Sequence, residues 1–226
     1  MKAVVLLSGG LDSTVCMSVA EAAGYELFPM SFKYGQRHDR EIVSAQNIAN
    51  YYGVKKHLII TTNMDDIGGS ALTADIDVPA GDENRGDIPV TYVPARNLIF
   101  LSYALGYAEV LDARKIYIGV NALDYSGYPD CRPEFIERFQ HLADYTTKAA
   151  VQDKRVIKVE TPLINMTKAD IIQLGQKNNA PLHLTTSCYR GGEQACGTCD
   201  SCLLRLRGFK QAGCKDPIEY GVRSTE

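Results

Sequence analysis

Lys2-Ala3-Val4-Val5-Leu6-Leu7-Ser8-Gly9-Gly10-Leu11-Asp12-Ser13 sets the architecture of the whole chain. A short unbroken apolar run ending on Ser-Gly-Gly reads as a strand buried on both faces of a parallel sheet. Behind it, Leu11, Val15, Met17, Val19 and Ala22 follow a helical pattern, with Gly24 as its stop. Glycines at the junction let the backbone turn tightly and bring amide N–H groups close to a ligand. The N-terminus of the following helix aims its unpaired N–H groups and positive dipole end at the same place. With the hydroxyls of Ser8 and Ser13, these groups form an anion site of phosphate size. Asp12 would repel a bare phosphate, but it suits a site where Mg2+ bridges carboxylate and phosphates.

Further along, YELFPMSFK at 25–33 predicts a second strand, residues 39–52 a helix, and 57–61 a third strand. The alternation resumes with a helix at about 96–112, a strand over 115–120 and a helix at about 133–149. A strand over 156–160, a helix at about 167–178 and a last helix from near Cys199 to Gly213 complete it. Strands alternating with helices at this spacing predict βαβ units with right-handed crossovers. The expected fold class is therefore α/β, a doubly wound parallel sheet with a small C-terminal helical part, whose four clustered cysteines (Cys188, Cys196, Cys199 and Cys202) make it a zinc-binding one. The expected division is 1–180 for the nucleotide-binding α/β domain and 181–226 for the metal-bearing helical region. An acidic interruption at 65–87 reads either as a solvated loop or as a cover over an active site.

Composition narrows the function classes. The 226 residues are 45% hydrophobic and 23% charged, which excludes wholesale disorder, a collagenous fibre and a coiled coil. No apolar run reaches the ~18–20 residues of a membrane span. The N-terminus lacks the long apolar core of a secretory signal, so a cytoplasmic chain is expected. Net charge is −3, without the basic excess typical of nucleic-acid binders. Arg205, Arg207, Lys210 and Lys215 read as a modest solvated basic face on the last helix.

Seven cysteines, an odd number in a chain of this kind, argue against a disulfide framework. Cys188, Cys196, Cys199 and Cys202 fall in a C-x7-C-x2-C-x2-C pattern. Four thiolates in one knuckle suit a closed tetrahedral zinc site. An iron–sulfur cluster is the alternative, though the Cys-Pro that often follows such ligands is missing. Cys16 reads as a small core residue.

SGGLDS at 8–13 is neither a Walker loop nor a dinucleotide fingerprint. It resembles the PP-loop of the N-type ATP pyrophosphatases, which cleave ATP between its α and β phosphates. On this resemblance Ser8, Gly9, Gly10, Leu11, Asp12 and Ser13 bind the nucleotide. Five further blocks make the resemblance more specific: Tyr34-Gly35-Gln36-Arg37-His38, Val93-Pro94-Ala95-Arg96-Asn97, Asp124 to Arg132, Thr167-Lys168-Ala169-Asp170 and the cysteine knuckle. In this order, over nearly the full length, the chain resembles the 7-cyano-7-deazaguanine synthases of the queuosine pathway.

That resemblance implies an ATP-dependent ligase acting on 7-carboxy-7-deazaguanine and ammonia. It implies ATP, Mg2+ and Zn2+ as cofactors, and a homodimer with no nucleic-acid or membrane partner. Adenylation would turn the carboxylate into an electrophile for ammonia, and a second adenylation of the amide oxygen would lead to the nitrile. No glutaminase domain is visible, so ammonia would arrive free or from a partner. Asp12, Lys168, Arg96 and His38 are the catalytic candidates. Lys168 would neutralise phosphate charge as the leaving group departs; Arg96 would hold the substrate carboxylate or a phosphate; His38 would relay a proton or cap a helix. Tyr34, Gln36, Arg37, Asn97, Asp124, Tyr128, Asp130 and Arg132 are the substrate-binding candidates, with Asp124 or Asp130 reading the base edge and Tyr125 or Tyr128 stacking. A thioester role for Cys131 has no neighbouring histidine in the sequence to support it. Two rival readings remain: a tRNA-modifying PP-loop enzyme of the thiolase type, and a non-catalytic zinc-stabilised nucleotide-binding module.

Overall fold

Strand β1, Lys2–Leu6, lies at the centre of a parallel sheet. It pairs on one side with β2, Glu26–Lys33, and on the other with β4, Lys115–Tyr117. β3, Leu58–Thr61, lies outside β2, and β5, Lys158–Glu160, outside β4. Among the described residues the sheet has five strands in the order β3-β2-β1-β4-β5. The computed structural model describes residues 1–36, 38–74, 76–77, 88–123 and 128–221. No helix among them is long and apolar enough to cross a membrane.

Both faces of β1 are covered, which is why its sequence does not alternate. Ala3, Val5 and Leu7 pack towards helices α1 (Leu11–Ala22) and α2 (Arg40–Tyr51). Val4 and Leu6 face the opposite layer, where α3 (Arg96–Leu111) and α4 (Pro133–Thr146) pack. Two later helices share the first layer: α6, Lys168–Lys177, and α7, Asp200–Gln211. Leu182 and Phe209 are buried in the same cluster as Val5 and Val15, while the four cysteines form a separate small cluster with Ala195. The predicted doubly wound arrangement is therefore observed. Strand order reverses between β1 and β4, and such a reversal opens a crevice at the carboxyl ends of the strands.

Four expectations need correction. The run at 115–120 ends its pairing with β1 at Tyr117, opposite Val5, and only the Ile118 N–H goes on to bond the Glu160 carbonyl. Gly119 then crosses the first turn of α1, where an added Cβ would lie 3.0 Å from the Asp12 carbonyl. The helix expected over 133–149 breaks at Thr147. That residue is extended, and its hydroxyl accepts from the Ala150 N–H to cap a short α5, Lys148–Val151. Arg205 is not on the solvated face. Its side chain is 2% exposed, whereas Arg207, Lys210 and Lys215 are exposed.

β5 is also shorter than expected. The Gln140 amide of α4 donates to the Ile157 carbonyl and accepts from the Val159 N–H, occupying groups that another strand would use.

Candidate active site and metal centre

The glycine loop follows β1 at the strand reversal. Gly9 has φ +83°, and a Cβ there would fall 2.3 Å from the Glu41 carbonyl. Only glycine allows both the left-handed turn and that approach to the first turn of α2. Ser8 and Ser13 brace the loop, with their hydroxyls 3.0 Å apart and Ser13 donating to the Gly10 carbonyl. Thr186 N–H binds the Gly9 carbonyl at 2.9 Å, so the 182–187 segment supports the loop from outside. Gly10 caps α1 without a side-chain hydrogen bond, and the N–H groups of the first turn are left for an anion.

Lys168 donates to both Asp12 carboxylate oxygens, at 2.7 and 2.8 Å. The pair is largely buried, with side-chain exposures of 8% and 17%. Lys168 opens α6 behind a capping box in which Thr167 and Asp170 satisfy each other's backbone N–H groups. Its stem passes over Gly208 of α7, where a Cβ would lie 2.3 Å from the lysine Cγ. Two candidates separated by 156 residues thus meet at the mouth of the loop.

A cavity of about 220 Å³ opens beside this pair, lined among others by Tyr34, Glu41, Arg96, Asn97, Tyr128 and Tyr189. Arg96 donates to the Tyr34 hydroxyl at 3.3 Å and lies over its ring. Burial works against the charge on Arg96. Tyr34, Tyr128, Glu41 and Tyr189 outweigh it and hold its pKa above the ordinary guanidinium value. Burial pushes the Tyr34 phenol up to about 12. Burial likewise raises the Glu41 carboxyl, while Arg96 and His38 pull it down less strongly.

The remaining sequence candidates take distinct positions. Asp130 accepts from the Asn97 N–H at 2.9 Å, and the Asn97 amide donates to the Asp130 carbonyl and the Cys131 sulfur. Asp130 therefore caps α3, whose own N-cap, Ala95, offers no side-chain acceptor. Burial raises the Cys131 thiol to about 12, which keeps it protonated and a poor nucleophile. Gln36 closes the end of β2 by bonding the Tyr34 N–H and the Phe32 carbonyl. His38 packs on Gly191, and its buried Nδ1 has no hydrogen-bond partner. Arg132 is exposed at the start of α4 and does not line the cavity. Arg37, Asp124, Tyr125 and most of the 75–87 stretch lie outside the described residues. Leu72, in the described part of the acidic segment, lines the cavity.

Sequence reasoning passed over Glu41, Tyr189 and Asn121, and put Arg205 on a solvated face. Glu41 looks like an ordinary acidic residue in a first helical turn. Asn121 follows β4, and its amide binds the Leu163 and Met166 carbonyls, which positions the approach to Lys168.

The sulfurs of Cys188, Cys196, Cys199 and Cys202 all lie within 4.8 Å of one another. Backbone N–H groups point at them: Cys196 N to Cys188 Sγ at 3.3 Å, and Thr198 N and Cys199 N to Cys196 Sγ at 3.4 Å. Donors aimed at sulfur favour thiolate, the form that binds metal, and four thiolates leave no open position. This donor set fits a structural metal.

The family model described as queuosine biosynthesis protein QueC matches residues 2–213. A relative in Desulfitobacterium hafniense, 7-cyano-7-deazaguanine synthase 2, is 63% identical over 97% of this chain and 93% of its own. The 7-cyano-7-deazaguanine synthase of Acetivibrio thermocellus is 62% identical over 99% of both chains. Among solved structures, NMN synthetase from Francisella tularensis superposes with a TM-score of 0.51 at 16% identity, over 95% of this chain and 78% of that one. A 4-thiouridine synthetase, solved with RNA and bound ATP, gives 0.51 at 16% identity over 79% of this chain and 41% of that one. At these identities the structures establish a shared fold alone.

Proposed function

The chain belongs to the QueC family of queuosine biosynthesis proteins, and from that premise we propose an ATP-dependent ligase that converts 7-carboxy-7-deazaguanine and ammonia to 7-cyano-7-deazaguanine. The observation that carries this reading is full-length similarity to synthases of that name, together with a glycine loop, a carboxylate and a lysine at one cavity.

The phosphates of ATP fit at the uncapped N-terminus of α1. Lys168, now on Asp12, would turn to the pyrophosphate as negative charge develops on it. Asp12 would then be the residue that holds magnesium, whose contribution is to neutralise the phosphates. Arg96, ringed by tyrosines, is placed for the substrate carboxylate. The cavity walls contributed by Met30, Phe32, Phe100 and Val120 accept a flat heterocycle. Adenylation makes the carboxylate oxygen a leaving group, and ammonia displaces AMP to give the amide. Adenylation of the amide oxygen and loss of AMP give the nitrile. No thiol takes part, in keeping with the four cysteines serving zinc and with a buried, protonated Cys131.

The same reading includes a cytoplasmic homodimer without a nucleic-acid partner. Leu98, Tyr103 and Val110 on the outer side of α3 are exposed and support a partner copy there.

The test is to incubate the protein with ATP, Mg2+, an ammonium salt and 7-carboxy-7-deazaguanine and follow the products by mass spectrometry. Nitrile, AMP and pyrophosphate are expected, and Asp12→Ala should abolish all three. An unchanged base, with ATP split only when tRNA is added, would overturn the substrate assignment and leave the fold intact.

A further inference from the structure

We propose that Glu41 is the catalytic carboxylate that receives the nitrogen donor as ammonium and takes its proton, beside the Arg96 that holds the substrate carboxylate. The proposal rests on the ligase reading and adds the site of its second reactant.

Glu41 lies in the first turn of α2, directly under the glycine loop, and lines the same cavity as Asp12, Arg96 and Lys168. A carboxylate beside an anion cradle is electrostatically misplaced unless a cation or a proton joins it. The other acidic group at the loop, Asp12, has Lys168. Among the described residues nothing hydrogen-bonds the Glu41 carboxylate or forms an ion pair with it. The nearby guanidinium of Arg96 is turned to the Tyr34 hydroxyl. The cavity thus presents a cation and an anion that are neighbours without being a closed pair. The two reactants are a carboxylate and an ammonium ion, so the charges of the site mirror those of the substrates. Tyr34, Tyr128 and Tyr189 add aromatic faces, which attract a compact cation. The carboxyl is raised by burial, which suits a group that must accept a proton near neutrality.

The chemistry balances as follows. Ammonium gives one proton to a Glu41 oxygen, and the freed lone pair forms the C–N bond at the acyl carbon. The C–O bond to AMP breaks with its electron pair on the phosphate. The excess proton on the new amide nitrogen passes to the departing phosphate or to solvent. In the second half the amide oxygen displaces pyrophosphate from ATP and one N–H proton is lost. The last N–H bond then supplies the electrons of the C≡N bond as the C–O bond to AMP breaks.

The test compares the unaltered protein with E41Q and E41D, using ATP, Mg2+ and 7-carboxy-7-deazaguanine. Three readouts are followed: substrate-dependent pyrophosphate exchange, amide and nitrile from ammonium, and hydroxamate from hydroxylamine. Hydroxylamine is largely unprotonated at neutral pH and needs no base. E41Q is expected to keep exchange and hydroxamate formation while losing about 10²–10⁴-fold in amide and nitrile formation, with E41D partly restoring them. An E41Q protein that melts normally yet loses exchange would place Glu41 at the phosphates or the metal and overturn the proposal. So would E41Q making nitrile at the unaltered rate. No exchange in the unaltered protein would refute the ligase reading itself, and this proposal with it.

Discussion

Replacing Asp216 by alanine should destabilise the chain more than any single surface change, because of what it leaves behind. Arg205 sits in α7 with its guanidinium forked onto Asp216, Nε at 2.8 Å and Nη2 at 2.9 Å. Nη1 donates to Thr185 Oγ1 at 2.7 Å and Ser187 Oγ at 3.2 Å, and Nη2 also donates to the Leu182 carbonyl at 3.3 Å. The side chains of the pair are 2% and 6% exposed. Removing the carboxylate strands a buried cation and also takes the acceptor from the Tyr220 hydroxyl and the Ile218 N–H. Breaking one side of a buried pair costs about 3–5 kcal/mol. At ~2–4 °C per kcal/mol for a chain of this size, the melting temperature should fall by roughly 6–20 °C. The functional consequence travels by a short route. Arg205 holds Thr185 and Ser187, and Thr186 between them holds the Gly9 carbonyl. The assay is urea unfolding with and without ATP, read beside the KM for ATP. Asp216→Ala should lower the midpoint and raise the KM. Arg205→Met added to it should cost less than the sum of the two single changes, by about 0.5–3 kcal/mol of coupling. A loss below about 1 kcal/mol, or strict additivity, would refute the view that this pair is a tightly coupled buried unit.

Gly9→Ala should cost at least ~1–2 kcal/mol for the left-handed conformation alone. The clash with the Glu41 carbonyl should abolish ATP turnover, measured as pyrophosphate release. Cys199→Ser keeps a good N-cap for α7 while removing one thiolate, so the metal content, proposed to be one zinc per chain, should fall by elemental analysis. A protein that retains full zinc would contradict the four-ligand site. Tyr34 keeps its proton up to about 12 when folded and about 10 when unfolded. Its contribution is therefore complete below about pH 10 and is lost as pH climbs towards 12. The melting temperature should decline over that window, less steeply in Tyr34→Phe.

What the sequence conveyed, and what it concealed, separates by range. The strand and glycine loop at 2–13 are legible because one local run carries both the burial pattern and the turn. The cysteine knuckle is legible for the same reason, since its four ligands fall within 188–202. The order of the strands is a property of crossovers, and no local pattern fixes it beyond the bias to right-handedness. The break at Thr147 is hidden because the apolar period runs straight through it. Asp130 reads equally well as a substrate contact. Its bond to the Asn97 N–H spans 33 residues, and α3 gives no sign in its own first turn that it needs a distant cap. Arg205 is the sharpest case. In a row of basic residues on one helix it looks solvated, and only Asp216, eleven positions on, explains its burial.

The charges of the site share one logic. Each functional cation at the strand reversal is held by a group from a different element: Lys168 of α6 by Asp12 of α1, Arg96 of α3 by Tyr34 at the end of β2, Arg205 of α7 by Asp216 beyond it. The Arg205 pair is almost completely buried and carries several further hydrogen bonds, which makes it fixed architecture. The Lys168 and Arg96 contacts face the cavity, where an entering anion offers either cation an alternative partner of equal or greater charge. A polyphosphate can take Lys168 from Asp12, and a carboxylate can take Arg96 from Tyr34. Charge neutralisation in the resting protein and charge recognition in the working one then use the same side chains. On this argument, Asp12→Asn should weaken the hold of residue 12 on Lys168 and tighten pyrophosphate binding even as it stops turnover. Isothermal titration with pyrophosphate in the absence of metal measures this directly, and an unchanged affinity would show that Asp12 does not compete with the anion for Lys168.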